Sequence, residues 1–243
     1  MVDTNESELE YKIIGSGVKT IIFFNGFRIN FKSWDKVYPE ISTHYRVLLF
    51  NRLGVGSSAK ATTEQSGKVV VDKMEKLFLE LDITPPYFLV AHSLGGVFAN
   101  LYACTRPQNI SGIIFVDSTH PLEIIKQKKF KSPLLLQLIN DGVKNIEKLF
   151  DKYKFSEDEC INETLAQIQN SNSFPDIPIA IVSGTKKMPF VPEESFDIHL
   201  SYQKMLLELS NYSARYLCEK SGHFPQITEP EIVVKAIKDI VDI

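Results

Sequence analysis

Val90-Ala91-His92-Ser93-Leu94-Gly95-Gly96 is the stretch that decides the fold of this 243-residue chain. Ahead of it, Tyr87-Phe88-Leu89-Val90-Ala91 is a short apolar block after Pro85-Pro86, the pattern of a strand buried on both faces. Behind it, Gly95 to Arg106 has helical spacing, with Val97, Leu101 and Cys104 on one side, and Pro107 stops it. A serine at a strand-to-helix junction, with small residues two places to either side, sits in a strained turn that exposes its hydroxyl. Ala91 and Gly95 must be small because neighbouring backbone passes within contact distance. The helix opening at Leu94 aims unpaired N–H groups and its positive dipole end at that hydroxyl.

Three more stretches carry comparable information. Thr20-Ile21-Ile22-Phe23-Phe24-Asn25-Gly26-Phe27-Arg28 is an apolar strand ending in Asn-Gly. Val47-Leu48-Leu49-Phe50-Asn51-Arg52-Leu53-Gly54-Val55-Gly56-Ser57-Ser58 is a strand running into a glycine-rich turn. That turn has neither G-x-G-x-x-G nor a Lys-Ser/Thr pair, which argues against a phosphate loop. Ala214-Arg215-Tyr216-Leu217-Cys218 reads as the last strand, followed by Glu219-Lys220-Ser221-Gly222-His223-Phe224-Pro225 and a final helix with Pro230 at its start. In this order the four stretches resemble the α/β-hydrolase superfamily, with Ala91 in place of the first glycine of G-x-S-x-G. The resemblance covers nearly the whole chain.

The resemblance implies roles by position. Ser93 would be the nucleophile and His223, after Gly222 and beyond the last strand, the general base. Asn25-Gly26 stands where the family usually has His-Gly, and the N–H groups of Phe27 and Leu94 would form the oxyanion hole. Backbone donors do not depend on the side chain at Asn25; the plainer reading is that Asn25-Gly26 is only a turn. Asn51 replaces the family's usual Asp, in a segment expected to support the site from behind. Arg28, Trp34 and Phe224, together with Phe27, are expected near the pocket mouth. The other histidines, His44, His92, His120 and His199, have weaker positions, and His92 is expected to line the turn.

The third member of the triad is the departure. Ile179-Ala180-Ile181-Val182-Ser183 leads into Gly184-Thr185-Lys186-Lys187, and Lys187 stands where the family usually has Asp. A cation there cannot orient an imidazole or stabilise an imidazolium. Asp117 is the best replacement, because some family members carry the acid after this earlier strand and the order Ser93, Asp117, His223 is kept. Val116-Asp117-Ser118-Thr119-His120-Pro121, Leu209-Ser210-Asn211 and Ser221-Gly222-His223-Phe224 also resemble a bacterial subgroup of serine hydrolases. Three alternatives stay open: Asp117 only caps its turn, the acid is Glu193, Glu194 or Asp197, or the pair has no acid.

Apolar blocks and helical patterns alternate along most of the chain. Strands are expected at Leu9–Ile14, Ile21–Phe24, Val47–Phe50, Phe88–Ala91, Ile113–Val116, Ile179–Val182 and Arg215–Cys218. Helices are expected at Trp34–Thr43, Val69–Leu81, Leu94–Thr105, Glu194–Ser210 and Glu231–Val241. Such alternation calls for an α/β fold, a mostly parallel sheet covered by helices on both faces. Its core would comprise residues 1–120 and 174–243, with 121–173 inserted as a helical cap. The leucine-rich patterns Leu134-Leu135-Leu136, Leu138-Ile139 and Ile146 with Leu149-Phe150 suit a cap, and equally an ordinary packed excursion.

The composition narrows the remaining possibilities. Net charge is −3, so no basic footprint for nucleic acid appears. The run Lys126, Lys128, Lys129, Lys131 reads as a solvated helix face. Cys104, Cys160 and Cys218 are odd in number and lack metal-type spacing. With Met1–Glu10 polar and acidic and no apolar run long enough to span a bilayer, a cytoplasmic protein is expected. Neither a metal nor an organic cofactor is called for, and oligomeric state is not readable. The expectation is a serine hydrolase acting on a small-molecule acyl ester through an acyl-enzyme. A thioesterase, lactonase, amidase or carbon–carbon bond hydrolase with the same triad would look alike. So would a non-catalytic ligand-binding protein on this scaffold, a reading that Lys187 favours.

Overall fold

The computed structural model describes residues 7–130, 144, 147–189 and 191–243. Seven strands, β1 (Tyr11–Ile14), β2 (Thr20–Phe24), β3 (Arg46–Phe50), β4 (Tyr87–His92), β5 (Ile110–Val116), β6 (Ile179–Gly184) and β7 (Ser213–Cys218), form one sheet in the order β1-β3-β2-β4-β5-β6-β7. Only β1 runs antiparallel to its neighbour; every other pairing is parallel. Successive strand residues point to opposite faces, and here both faces are buried. On β2, Ile21 and Phe23 enter one apolar core while Ile22 and Phe24 enter the other. This is why the central strands are unbroken apolar runs rather than alternating ones.

The helices are α1 (Tyr38–Ile41), α2 (Gly67–Glu80), α3 (Gly95–Thr105), α4 (Pro121–Gln127), α5 (Ser156–Glu159), α6 (Ile161–Gln169), α7 (Glu193–Met205), α8 (Pro225–Thr228) and α9 (Pro230–Val241). One core lies between the sheet and α2 with α3, through Phe78, Phe98 and Tyr102. The opposite core takes Trp34, Ile41 and the α9 stripe Val233, Ile237, Ile240 and Val241. That stripe recurs every three or four residues, so α9 lays a single face on the sheet. The mostly parallel, doubly covered sheet expected from the sequence is the one observed.

Two boundaries differ for local reasons. In place of a helix over Trp34–Thr43 there is a 3₁₀ turn at Phe31–Trp34, where the Asn30 side chain accepts the Lys32 N–H at 3.0 Å, and then the single turn α1. Pro39 has no N–H to give, and its ring opposes a carbonyl four residues earlier, so no helix runs through from Trp34. The helix expected to end at Ser210 stops at Met205 and tightens into 3₁₀ geometry over Leu206–Leu209.

No strand occurs between β5 and β6 among the described residues. The patterns at Leu134-Leu135-Leu136, Leu138-Ile139 and Ile146 lie outside them, while Leu149 and Phe150 are exposed. α6 is tied to the start of α2 by Gly67 N–H to Thr164 Oγ1 at 2.8 Å and Lys68 N–H to Gln167 Oε1 at 2.7 Å. Among the described residues no helix is long and apolar enough to cross a membrane.

Candidate active site

Four non-glycine residues have positive φ among the described residues: Arg28, Asp82, Ser93 and Asp117. Three of them sit together at the carboxyl ends of the parallel strands, where open α/β sheets form their ligand crevice. Strain of this kind survives only where the surroundings enforce it. Ser93, at φ 52°, follows β4 and precedes α3. The turn is enforced by close approach: a Cβ on Gly95 would lie 2.6 Å from the carbonyl oxygens of both Phe24 and Asn25. The loop after β5 is stitched to the same turn, with Thr119 N–H donating to Ser93 O at 3.1 Å and Ser118 Oγ to Ala91 O at 2.6 Å.

Asp117, at φ 42°, is almost fully buried, and its own N–H donates to Val182 O at 2.7 Å. The carboxylate faces His223, whose Nδ1–H donates to Asp117 Oδ2 at 2.8 Å. This fixes the tautomer and leaves Nε2 free to accept from Ser93 Oγ at 2.9 Å. Hydrogen bonds therefore run from hydroxyl to imidazole to buried carboxylate. The other carboxyl groups considered for this role point elsewhere. Glu193 pairs with Lys187, Glu194 with Lys129, and Asp197 is exposed. Lys187 is itself exposed, with its ammonium on Val191 O and Glu193.

The strand end at Asn25-Gly26-Phe27 passes beside the serine, since a Cβ on Gly26 would stand 3.3 Å from Ser93 Cβ. At the turn, Gly96 N–H bonds Ser93 O and Val97 N–H bonds Leu94 O. The N–H groups of Phe27 and Leu94 have no acceptor among the described residues. Asn25 is braced from behind: its Nδ2 donates to Phe50 O and Asn51 Oδ1, and its Oδ1 accepts Trp34 Nε1–H at 2.9 Å. Asn51 in turn accepts the Phe31 N–H and donates to Glu10.

Two of the expected pocket residues, Trp34 and Arg28, are corrected by their contacts. Trp34 is wholly buried; its indole N–H is spent on Asn25, and its ring packs edge-on against Phe23 and His92. Arg28 turns aside, giving Nη1 to Lys154 O at 2.8 Å and lying over the Phe155 ring. Phe224 packs on the rings of His92 and His223. The cavity that reaches the site is elsewhere, about 580 Å³ between α4 and α7, with Asp117, His199 and His223 on one wall. Ile124, Ile161, Met188, Val191 and Phe196 supply its apolar surface.

Several residues contribute through partners the sequence did not specify. Arg52 is buried and bidentate to Glu157, at 2.6 and 3.0 Å, and donates to Asn25 O and Gly26 O. It thus pins the strand end beside Ser93 to α5. His199 on α7 places Nε2 3.2 Å from Asp117 Oδ1 and Nδ1 2.8 Å from Glu123 Oε1. Burial opposes its charged form, but bonds to the two carboxylates outweigh this and raise it to about 10. Burial would likewise raise Asp117, yet the bonds from His199 and His223 hold it well below the usual carboxylate range. His92 is fully buried beside them; its Nε2–H donates to His223 O at 2.7 Å, and burial pushes it down to about 3. Glu123 did have a local signal, since His120-Pro121-Leu122-Glu123 forms a capping box at the start of α4. Among the described residues no group of three or more His, Cys, Asp or Glu could hold a metal ion.

Residues 19–143, slightly more than half the chain, match the family model for the alpha/beta hydrolase fold. The chain is 25% identical over 231 residues to the uncharacterized protein YqjL of Bacillus subtilis (strain 168), covering 93% of this chain and 85% of that one. It is also 25% identical over 237 residues to a longer uncharacterized protein of Schizosaccharomyces pombe, covering 85% of this chain but only 43% of that one. Among solved structures, an N-acyl homoserine lactone degrading enzyme is similar in fold, with a TM-score of 0.70 at 16% identity over 98% of both chains.

Proposed function

The chain belongs to the alpha/beta hydrolase fold family, and on that premise we propose that it is a serine hydrolase that cleaves a carboxylic ester or related acyl bond of a small apolar substrate. The observation that carries this reading is the relay itself. Ser93 Oγ, His223 Nε2, His223 Nδ1 and Asp117 Oδ2 join at 2.9 and 2.8 Å, with the carboxylate buried.

In the proposed mechanism His223 Nε2 takes the Ser93 proton as Oγ attacks the acyl carbon. Charge moves onto the carbonyl oxygen, which binds the N–H groups of Phe27 and Leu94. Losing one such donor typically costs about 2.7–4 kcal/mol of transition-state stabilisation. The carbon–oxygen bond then breaks, and the leaving alkoxide takes the proton from His223. Water next attacks the acyl-enzyme, giving its proton to His223, which returns it to Ser93 as the acid leaves. Asp117 holds the imidazole tautomer and stabilises the imidazolium in both half-reactions. The cavity between α4 and α7 would take an apolar group of the substrate against Ile124, Ile161 and Phe196. Residues 121–173 would act as its cap.

The test is hydrolysis of a p-nitrophenyl ester series, with a fluorophosphonate label as a second readout. Wild type is expected to turn over the shorter esters and to be labelled at Ser93, and Ser93→Ala to lose both. A wild type that is inert on every ester and unlabelled would refute the serine-hydrolase reading and leave a ligand-binding scaffold. Labelling without turnover would keep the nucleophile and move the substrate to a thioester, lactone or amide.

A further inference from the structure

We propose that His199 is a positioning residue held as an imidazolium across the neutral range, and that by sharing the Asp117 carboxylate with His223 it sets the pH at which the base of the triad works. The proposal rests on the serine-hydrolase reading for its catalytic consequence, though not for its structural part. It stands first on donor and acceptor chemistry. Both ring nitrogens of His199 face carboxylate oxygens, Nε2 at 3.2 Å from Asp117 and Nδ1 at 2.8 Å from Glu123. An ionised carboxylate only accepts, so both nitrogens must carry hydrogen. Each carboxylate is also occupied as an acceptor by other donors. Asp117 receives Gly184 N–H at 3.0 Å and His223 Nδ1–H, while Glu123 receives His120 N–H at 3.4 Å. A proton placed on either carboxyl would disrupt those bonds.

The groups facing His199 come from each element packed around it. Asp117 comes from the end of β5, Glu123 from α4, and His223 from the loop after β7 with its ring centroid 6.5 Å away. Lys128, Asp158 and Lys186 stand further out around the shared cavity. The side chains form a row of alternating charge: Glu123 negative, His199 positive, Asp117 negative, then the neutral His223. α7 is locked to α4 in this register by Ser195 Oγ to Gln127 Oε1 and Gln127 Nε2 to Ser195 O, both at 2.8 Å.

Two consequences follow for the base. Asp117 is fixed through Oδ1 by Gly184 and His199, so Oδ2 is presented to His223 without rotation. The cation beyond it also offsets part of the negative charge that Asp117 presents to the base. Glu123 keeps His199 charged as His223 gains its own proton during turnover.

The test is ¹⁵N-histidine NMR of the full chain across the neutral range, on wild type, His199→Gln and Glu123→Gln, followed by kcat/KM against pH on a p-nitrophenyl ester. In wild type, both His199 nitrogens should show imidazolium shifts throughout. In His199→Gln, the acid limb of kcat/KM should move upward, as the cation beyond Asp117 is removed. In Glu123→Gln, His199 should begin to titrate within the range. A wild-type His199 that is neutral, or an acid limb unmoved in His199→Gln, overturns the proposal. Should His199→Gln not fold, wild type and Glu123→Gln decide it alone. An imidazolium at His199 in a protein inert to esters and to fluorophosphonate would refute the hydrolase reading while upholding the charge row.

Discussion

His92 and His199 both lie near the imidazole of His223, with ring centroids 4.8 and 6.5 Å from it, and their surroundings drive them to opposite protonation states. His92 is wholly buried, gives its one N–H to a backbone carbonyl, and is pushed down to about 3. Its Nδ1 has no partner among the described residues. His199 is also largely buried, yet it lies between two carboxylates and is raised to about 10. Burial disfavours both cations; the partners decide the outcome. A carbonyl dipole cannot offset the loss of solvation, whereas two carboxylates can. The neutral side holds the main chain of the His223 loop, and the charged side acts on its ionisation.

Asp117 is the group by which the two sides differ, so its removal should have the largest effect. Asp117→Asn keeps the shape, but it frees the His223 tautomer and takes one carboxylate from His199. By analogy with other triads kcat is expected to fall on the order of 10⁴-fold, with wild-type-like circular dichroism. A loss of only a fewfold would assign the acid elsewhere and leave His199 the main partner of Asp117.

The next effect is on stability against pH. An unfolded histidine titrates near about 6.5. Between about 3 and 6.5 the unfolded chain binds a proton at His92 that the folded chain refuses, so acidification in this window destabilises the fold. At His199 the folded chain keeps a proton that the unfolded chain releases. Its contribution is complete below about 6.5 and is lost as pH rises toward 10. Asp117, with its lowered pKa, adds stability that is present above the ordinary carboxylate range and lost below it. Tm is therefore expected to peak near neutrality, with His199→Gln flattening the alkaline side. An unchanged alkaline slope in that variant would contradict the charge assigned to His199.

His92→Leu removes a neutral donor and leaves His223 O unpaired, at a cost of roughly 1–3 kcal/mol in stability. About tenfold in kcat should go with the loosened loop, a step of about 1.4 kcal/mol. The acid limb of kcat/KM should stay in place, since no charge is lost. A limb that moved as it does in His199→Gln would erase the distinction between the two histidines.

What the sequence discloses follows the range of the interactions. The strands were legible because both faces of the sheet are buried, which makes each an apolar run such as Ile21–Phe24. The Ser93 turn was legible because its demands fall within five residues. Asp117 was nameable as the end of an apolar block, but its distance from His223 could be known only in three dimensions. His199 meets Asp117 across 82 residues and Glu123 across 76, and Arg52 meets Glu157 across 105. No local pattern marks such pairs. Trp34 was misplaced at the pocket mouth because an aromatic after a loop reads alike whether it faces solvent or core. The hydrogen bond to Asn25 that holds it inward is itself a tertiary fact.

The smallest effect expected is at the other end of α7, where the carboxylates are solvated. Glu193 and Glu194 pair with the ammonium groups of Lys187 and Lys129 in solvent, where ion pairs contribute little. Glu193→Gln and Glu194→Gln should leave kcat within about twofold and Tm nearly unchanged, because surface substitutions rarely exceed roughly 0.5 kcal/mol. These two carboxylates, like Glu123, are on helices bordering the cavity, yet only Glu123 is buried against an imidazole. If Glu194→Gln collapsed the rate while Asp117→Asn did not, the acid would lie on α7. The His199 charge row would stand on its contacts with Asp117 and Glu123, but its link to the base would be lost.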